Sequence, residues 1–197
     1  MLAAFLVLFP PQTCEVTFVR HAETVANATG RYNSRTLNVF SDLGNQQVKA
    51  LTDRLVAGKP FDTILVSPSE RALRTIGPYL RSTGQKAIVW PLLYECCTGR
   101  RKGAVATRFC YSGKVSIPPG LGGLFTIIPG SDRLPNSPTY GAGLAQVAEC
   151  LKVFRAKYAK GRVLVVGHSG HGGHFWYGLT GNRRQVKNAE EMTTRLR

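Results

Sequence analysis

Short, nearly continuous apolar runs alternate along this chain with longer segments whose apolar positions recur at helical spacing. Glu15 to Arg20, Asp62 to Val66, Ala87 to Trp90 and Val163 to Gly167 read as strands. Apolar runs of this length fit strands buried on both faces. Between them, Ser41 or Asp42 is placed to cap a helix from about Leu43 to Ala57. Val48, Leu51 and Leu55 fall on one face of it, and Gly58 and Pro60 stop it. Pro68 opens a second helix to about Thr83, with Ala72, Ile76, Tyr79 and Leu80 on one side and Gly84 as the stop. A third runs from Tyr140 to about Tyr158, with Leu144, Val147, Leu151, Phe154 and Tyr158 as its apolar stripe. After Gly167 come a Gly-rich turn and a short helix through Leu179. Glu191 to Leu196 predicts a closing edge strand. This alternation predicts one α/β domain over residues 1–197, a three-layer α/β/α sandwich with a mostly parallel central sheet.

Between about residues 97 and 138 the texture changes to Gly, Pro, Ser and basic residues with no sustained period. Such a stretch is too long for an ordinary connection and reads as a functional loop or insertion. It carries Arg100, Arg101, Lys102, Arg108 and Lys114, which form either a basic lid over an anionic substrate or a solvated basic loop. The whole chain has 26 Lys and Arg against 11 Asp and Glu, a net charge of +15. That balance favours anionic partners: phosphorylated metabolites or macromolecules, nucleic acid, or an anionic membrane surface. Nucleic acid is the weakest of these, since no aromatic-basic platform of the RRM kind is present. Oligomeric state stays open.

Met1 to Phe9 is apolar but too short to span a bilayer. It is either the apolar part of an export signal, without the usual basic leader and small-residue cleavage site, or a packed N-terminal arm. A cytoplasmic and an exported location are therefore equally open. Five cysteines, an odd count, leave at least one unpaired in a monomer. Cys96 or Cys97 could pair with Cys110, though buried free thiols are the simpler reading.

Candidate chemistry gathers at the ends of the predicted strands. Arg20-His21 follows the first, Ser67-Pro68-Ser69-Glu70-Arg71 the second, and Gly167-His168-Ser169-Gly170 the last long one. Ligands of open α/β sheets bind outside the carboxyl ends of the strands. There an arginine offers a planar fork of donors to phosphate oxygens. A neutral imidazole can act as a nucleophile. A helix N-terminus at Arg71 would add further anion affinity. Gly167-His168-Ser169-Gly170-His171 misses the Gly-x-Ser-x-Gly nucleophile elbow of serine hydrolases by its last residue, and no histidine follows the acids beyond it. His168, His171 and His174 spread around a helix by about 300° at 100° per residue, which argues against a metal site.

Taken in order, these strings resemble the histidine phosphatase superfamily, the phosphoglycerate mutase-like fold. Its Arg-His-Gly motif corresponds to Arg20-His21-Ala22, its helix start to Ser41-Asp42-Leu43-Gly44-Asn45-Gln46-Gln47, its Ser-Pro-x-x-Arg-Ala-x-x-Thr block to Ser67 through Thr75, and its Gly-His-Ser block to Gly167-His168-Ser169. The resemblance implies a metal-independent, cofactor-free phosphomonoesterase. His21 would be the nucleophile that becomes phosphohistidine. Arg20, Arg71 and His168 would hold the phosphoryl group, and Glu95 would be the proton donor. Asn27 matches a substrate-side asparagine, and Arg100 and Arg101 are substrate-binding candidates in the basic insertion. Ala22 replaces the usual glycine, and Cys96-Cys97 replaces the basic and aromatic residues of mutases. Alternatives are a phosphoglycerate mutase-type phosphotransferase, for which residues that would hold a second phosphate are not evident, and a non-catalytic phosphate- or nucleic-acid-binding module.

Overall fold

A computed structural model describes residues 13–97 and 110–196. Strand β1 (Cys14–Arg20) leads into a short helix α1 (Val25–Thr29), then α2 (Asp42–Ala57), β2 (Thr63–Val66), α3 (Glu70–Thr83) and β3 (Ala87–Val89). Single 3-10 turns follow at Pro91–Leu93 and Gly122–Leu124. The chain continues through β4 (Phe125–Ile127), α4 (Tyr140–Lys157), β5 (Gly161–Gly167), α5 (Ser169–Thr180) and β6 (Glu191–Leu196). The six strands form one sheet in the order β4-β3-β2-β5-β1-β6. All neighbours run parallel except β6, which lies antiparallel on β1.

The period-two alternation of the strands explains the layers. Ile64, Val66, Leu164 and Val166 pack into one core with Leu51 and Leu55 of α2 and Leu73, Ile76 and Leu80 of α3. Their neighbours Leu65, Val163 and Val165 point the other way. With Val16 and Phe18 they meet Val147, Cys150 and Phe154 of α4 and Phe175 and Trp176 of α5. A sheet whose strands are apolar on both faces must be covered on both, and the mostly parallel three-layer sandwich results.

The structure departs from the sequence reading at identifiable places. Helix α3 begins at Glu70 rather than Pro68, because the Ser67 N–H continues the sheet edge by donating to Val166 O (2.9 Å). The insertion is not wholly irregular. It adds β4 as the outermost strand on β3, and Lys114 bridges Arg133. Three residues of strand, flanked by glycine and proline, are too short to show a period. Helix α1 was also not foreseen, since it has a single turn capped by Thr24 and a reciprocal Asn27 contact.

In α4 the buried stripe is Gly143, Gln146, Val147, Cys150 and Phe154, whereas Leu144 is 40% exposed. Leu151 and Tyr158 pack against the same core, so only the first turn departs from the predicted stripe, and it does so for a reason. Gln146 Nε2 donates to Leu92 O and Tyr94 O (3.0 and 2.9 Å). A Cβ at Gly143 would stand 2.8 Å from Cys97 Sγ. Helix α4 is therefore seated on the loop that carries Glu95. Among the described residues no helix is long and apolar enough to cross a membrane.

Candidate active site

Strand register sets the first contacts of the site. Arg20 pairs with Gly167 and Val66 with Val166. The residues that follow, His21, His168 and Ser67, therefore leave three adjacent strands at one edge. The His21 and His168 rings lie 5.3 Å apart at 62°. Arg71, in the first turn of α3, stands between them. Its Nε donates to His21 Nε2 and its Nη2 to His168 Nδ1, both at 3.2 Å. His21, Arg71, His168 and Glu95 are all buried.

These contacts assign the tautomers. A carbonyl only accepts and a guanidinium only donates. His21 Nδ1 lies 2.8 Å from Ala22 O, so Nδ1 carries the proton and Nε2 presents its lone pair toward Arg71. His168 Nδ1 accepts from Arg71, so its Nε2–H donates to Ser67 Oγ at 2.6 Å. Burial, and then the Arg71 charge, holds both imidazoles well below their ordinary pKa of 6.5. Both are neutral at neutral pH.

Arg20 leaves β1 toward the same edge. Its Nη1 donates to Val186 O (3.0 Å), while its Nε is buried with no partner among the described residues. A buried donor left unpaired is costly, and an anion at this edge would satisfy it. Glu95 follows the 3-10 turn after β3. Its Oε1 accepts the N–H groups of His171 (2.9 Å) and Cys96 (3.1 Å). Burial raises its pKa above 4.5, and the His171 N–H and the Arg71 charge oppose that rise. The site thus pairs a neutral imidazole lone pair and two arginines with a carboxyl group inclined to hold its proton. Such a set can bind a tetrahedral anion, attack it and protonate what leaves.

Other positions of the motifs build the cradle rather than enter it. Glu23 holds the start of α2: its carboxylate accepts from Ser41 Oγ (2.7 Å), and its N–H donates to Gln47 Oε1 (2.8 Å). Gly44 lets α2 approach, since a Cβ there would sit 1.9 Å from Glu23 O. Thr75 Oγ1 links Ala22 N (3.0 Å) to Arg71 O (2.7 Å), tying the β1 turn to α3. Ala22 is fully buried, and its methyl group is accommodated.

Asn27 is half-buried and engaged in the α1 cap. Its Oδ1 accepts from Thr24 N (3.1 Å), and its Nδ2 donates to Tyr32 Oη (3.4 Å). Asn188, missed in the sequence, donates to His21 O (2.9 Å) from 167 residues away. Ser67 was missed as the group that orients His168, although its place in the Ser-Pro motif was the available signal. Arg100 and Arg101 lie outside the described residues.

The three histidines of the Gly-rich turn diverge. His168 faces Ser67 and Arg71. His171 stacks on Phe175 (5.9 Å, 22°), and its burial pushes the pKa down to about 3. His174 meets Tyr140 Oη at 3.1 Å. No group of three metal-ligating side chains is assembled among the described residues. All five cysteines are free thiols, with Cys14, Cys96 and Cys150 buried and Cys110 exposed. The Cys96 and Cys97 sulfurs lie 3.3 Å apart.

A mostly parallel sheet covered by helices on both faces, with two histidines and two arginines gathered at its carboxyl edge, makes this an α/β sandwich protein. The family follows from the sequence: the profile of the histidine phosphatase superfamily (branch 1) matches residues 16–184, and the chain belongs to that superfamily. No curated protein matches it in sequence. Among solved structures it is similar to the alpha-ribazole phosphatase from Shigella flexneri, with TM-score 0.61, 18% identity, and 91% of this chain and 89% of that one covered. A mycobacterial glucosyl-3-phosphoglycerate phosphatase complexed with VO3 gives TM-score 0.59, 17% identity, and 91% and 92% coverage. The ecdysone phosphate phosphatase from Bombix mori, in complex with tungstate, gives 0.55, 15%, and 91% and 88%.

Proposed function

We propose that this chain is a phosphomonoesterase that works through a phosphohistidine at His21. The observation that carries the reading is the single guanidinium of Arg71 spanning the lone pairs of His21 Nε2 and His168 Nδ1. An incoming phosphoryl group would take over these donors, and Arg20 Nε is the further donor in want of an acceptor. In the first step His21 Nε2 attacks phosphorus and the N–P bond forms as the ester P–O bond breaks. Glu95 gives its proton to the departing alcohol oxygen. In the second step the Glu95 carboxylate takes a proton from water, whose oxygen attacks phosphorus. The N–P bond then breaks, releasing inorganic phosphate and restoring neutral His21.

Arg20, Arg71 and His168 stabilise the charge that develops on the transferring group. Small phosphorylated molecules are the proposed substrate class, in line with the names of the phosphatases that share the fold. Asn27 and the basic residues Arg100 and Arg101 are proposed on the substrate side. The test is release of phosphate from p-nitrophenyl phosphate by the wild type, in the presence and absence of EDTA, together with trapping of labelled phosphate on the protein. Retained turnover in EDTA and acid-labile label on His21 are expected. Full activity in His21→Ala would overturn the mechanism.

A further inference from the structure

A cleft of about 340 Å³ runs along α5 beside the site, between that helix and residues 183–185. Ser169 and Gly170 form its near end, directly after His168, and the Gly170 N–H faces the Glu95 carboxylate. His174, Tyr177 and Arg183 form its far part. Resting on the phosphatase reading, we infer that this cleft receives the alcohol part of the substrate. We further infer that Arg183 binds a second anionic group, a carboxylate or phosphate, on that part.

The glycines of α5 give the first argument. Glycine inside a helix is less stable than alanine, so each needs a reason. Packing supplies one at Gly172, where a Cβ would stand 2.2 Å from the Phe18 ring, and at Gly178, where it would stand 2.2 Å from Leu151. Gly173 has no such neighbour. The nearest atom to a Cβ there is Arg184 O at 3.9 Å, an ordinary contact. What an added side chain would fill at Gly173 is the cleft itself, which it lines.

Charge gives the second argument. Arg184 is neutralised by Glu190. Among the described residues no carboxylate pairs with Arg183, whose guanidinium lies over the Tyr177 ring, 5.2 Å from its centre. His174 adds no competing charge. Burial, and then Arg183, lowers its pKa from 6.5, and its Nε2 is engaged with Tyr140 Oη. Among the described residues the cleft therefore offers one unneutralised cation on an aromatic platform and no acidic side chain in its own lining. From Gly170 to Tyr177 the helix rises about 10 Å, so the ring beneath Arg183 stands about two turns along α5 from the edge of the site.

The experiment compares 6-phosphonooxyhexanoate with n-hexyl phosphate, esters that differ only in a terminal carboxylate, at fixed ionic strength. Wild type should favour the carboxylate ester about tenfold in kcat/KM, the size expected for one charge-assisted contact. In Arg183→Gln that ratio should fall to near one. Gly173→Val, which fills the cleft, should depress both six-carbon esters relative to methyl phosphate. Equal kcat/KM for the two esters in wild type, or a preference that survives Arg183→Gln, overturns the subsite while the phosphatase reading stands. A wild type that turns over neither ester nor p-nitrophenyl phosphate strikes the phosphatase reading itself, and the subsite falls with it.

Discussion

The two sides of the site are held by different means. His21, His168 and Ser67 are set by the register of three adjacent strands, and Arg71 by the first turn of the helix that follows one of them. Glu95 has no strand partner. It is placed by N–H groups at the start of α5 and by a loop that Gln146 of α4 pins through two carbonyls. The histidine side is thus held by the sheet itself, while the Glu95 side depends on how α4 and α5 seat against it. In the proposed mechanism the first side serves every substrate alike. In the first step, which kcat/KM reads, the second matters in proportion to how much the leaving oxygen needs a proton.

The contrast is broken most severely at His21, the proposed nucleophile. His21→Ala should lower kcat/KM at least about 10⁴-fold on alkyl and aryl esters equally. A variant that kept its activity on either ester would show that the imidazole does not attack. Glu95→Gln should instead separate the two. A loss of about 10²–10⁴ in kcat/KM, which reads the first step alone, is expected on methyl phosphate, and a clearly smaller one on p-nitrophenyl phosphate, whose phenolate leaves without help. Equal losses on both would remove Glu95 from the role of proton donor.

Arg71→Lys should cost about 10²–10³ in kcat on either ester, because one ammonium cannot span both imidazoles. Vanadate inhibition offers a second readout and should weaken in parallel. Ser67→Ala should cost about tenfold, since His168 Nε2–H loses its acceptor and the ring its fixed orientation. An unchanged kcat in this variant would mean that the Arg71 contact alone aligns His168.

The same pairing fixes the sign of the pH dependence. In the proposed mechanism the free enzyme needs His21 unprotonated, and its depressed pKa puts the acid limb of kcat/KM well below pH 6.5. Glu95 must be protonated for the first step, and its raised pKa moves the alkaline limb above pH 4.5. Activity falls below the first limb as His21 gains a proton and above the second as Glu95 loses one. Glu95→Gln should erase the alkaline limb and leave the acid one. Persistence of both in that variant would assign the alkaline limb to another group.

Much of this arrangement was legible in the chain. Buried strands announce themselves as apolar runs, and residues just beyond a strand of a parallel sheet have few places to go. Arg20, His21, Arg71 and His168 could be placed at one edge for that reason, although it took the ordered family motifs to single them out, and the starts of α2 and α3 lie within two residues of those the sequence predicts. Val147, Leu151, Phe154 and Tyr158 of the α4 stripe all pack into the core, and only Leu144 does not, because hydrophobicity alone says nothing of the contact made by the first turn. The actual contact is made by Gly143 and by a hydrogen-bonding Gln146. Short elements such as α1 and β4 fall below the length at which a period can be seen.

By itself, the sequence determined the alternation of strand and helix, the two-faced core and the motifs at the strand ends, since these follow from local pattern and connection rules. Only the tertiary structure decided which nitrogen of His21 is free, that one guanidinium joins both histidines, that Asn188 reaches back to the first strand, and that Gly173 opens on a cleft rather than a neighbour. Each of these is a relation between residues far apart in the chain. Its energy depends on distance and burial, which no local pattern of side chains encodes.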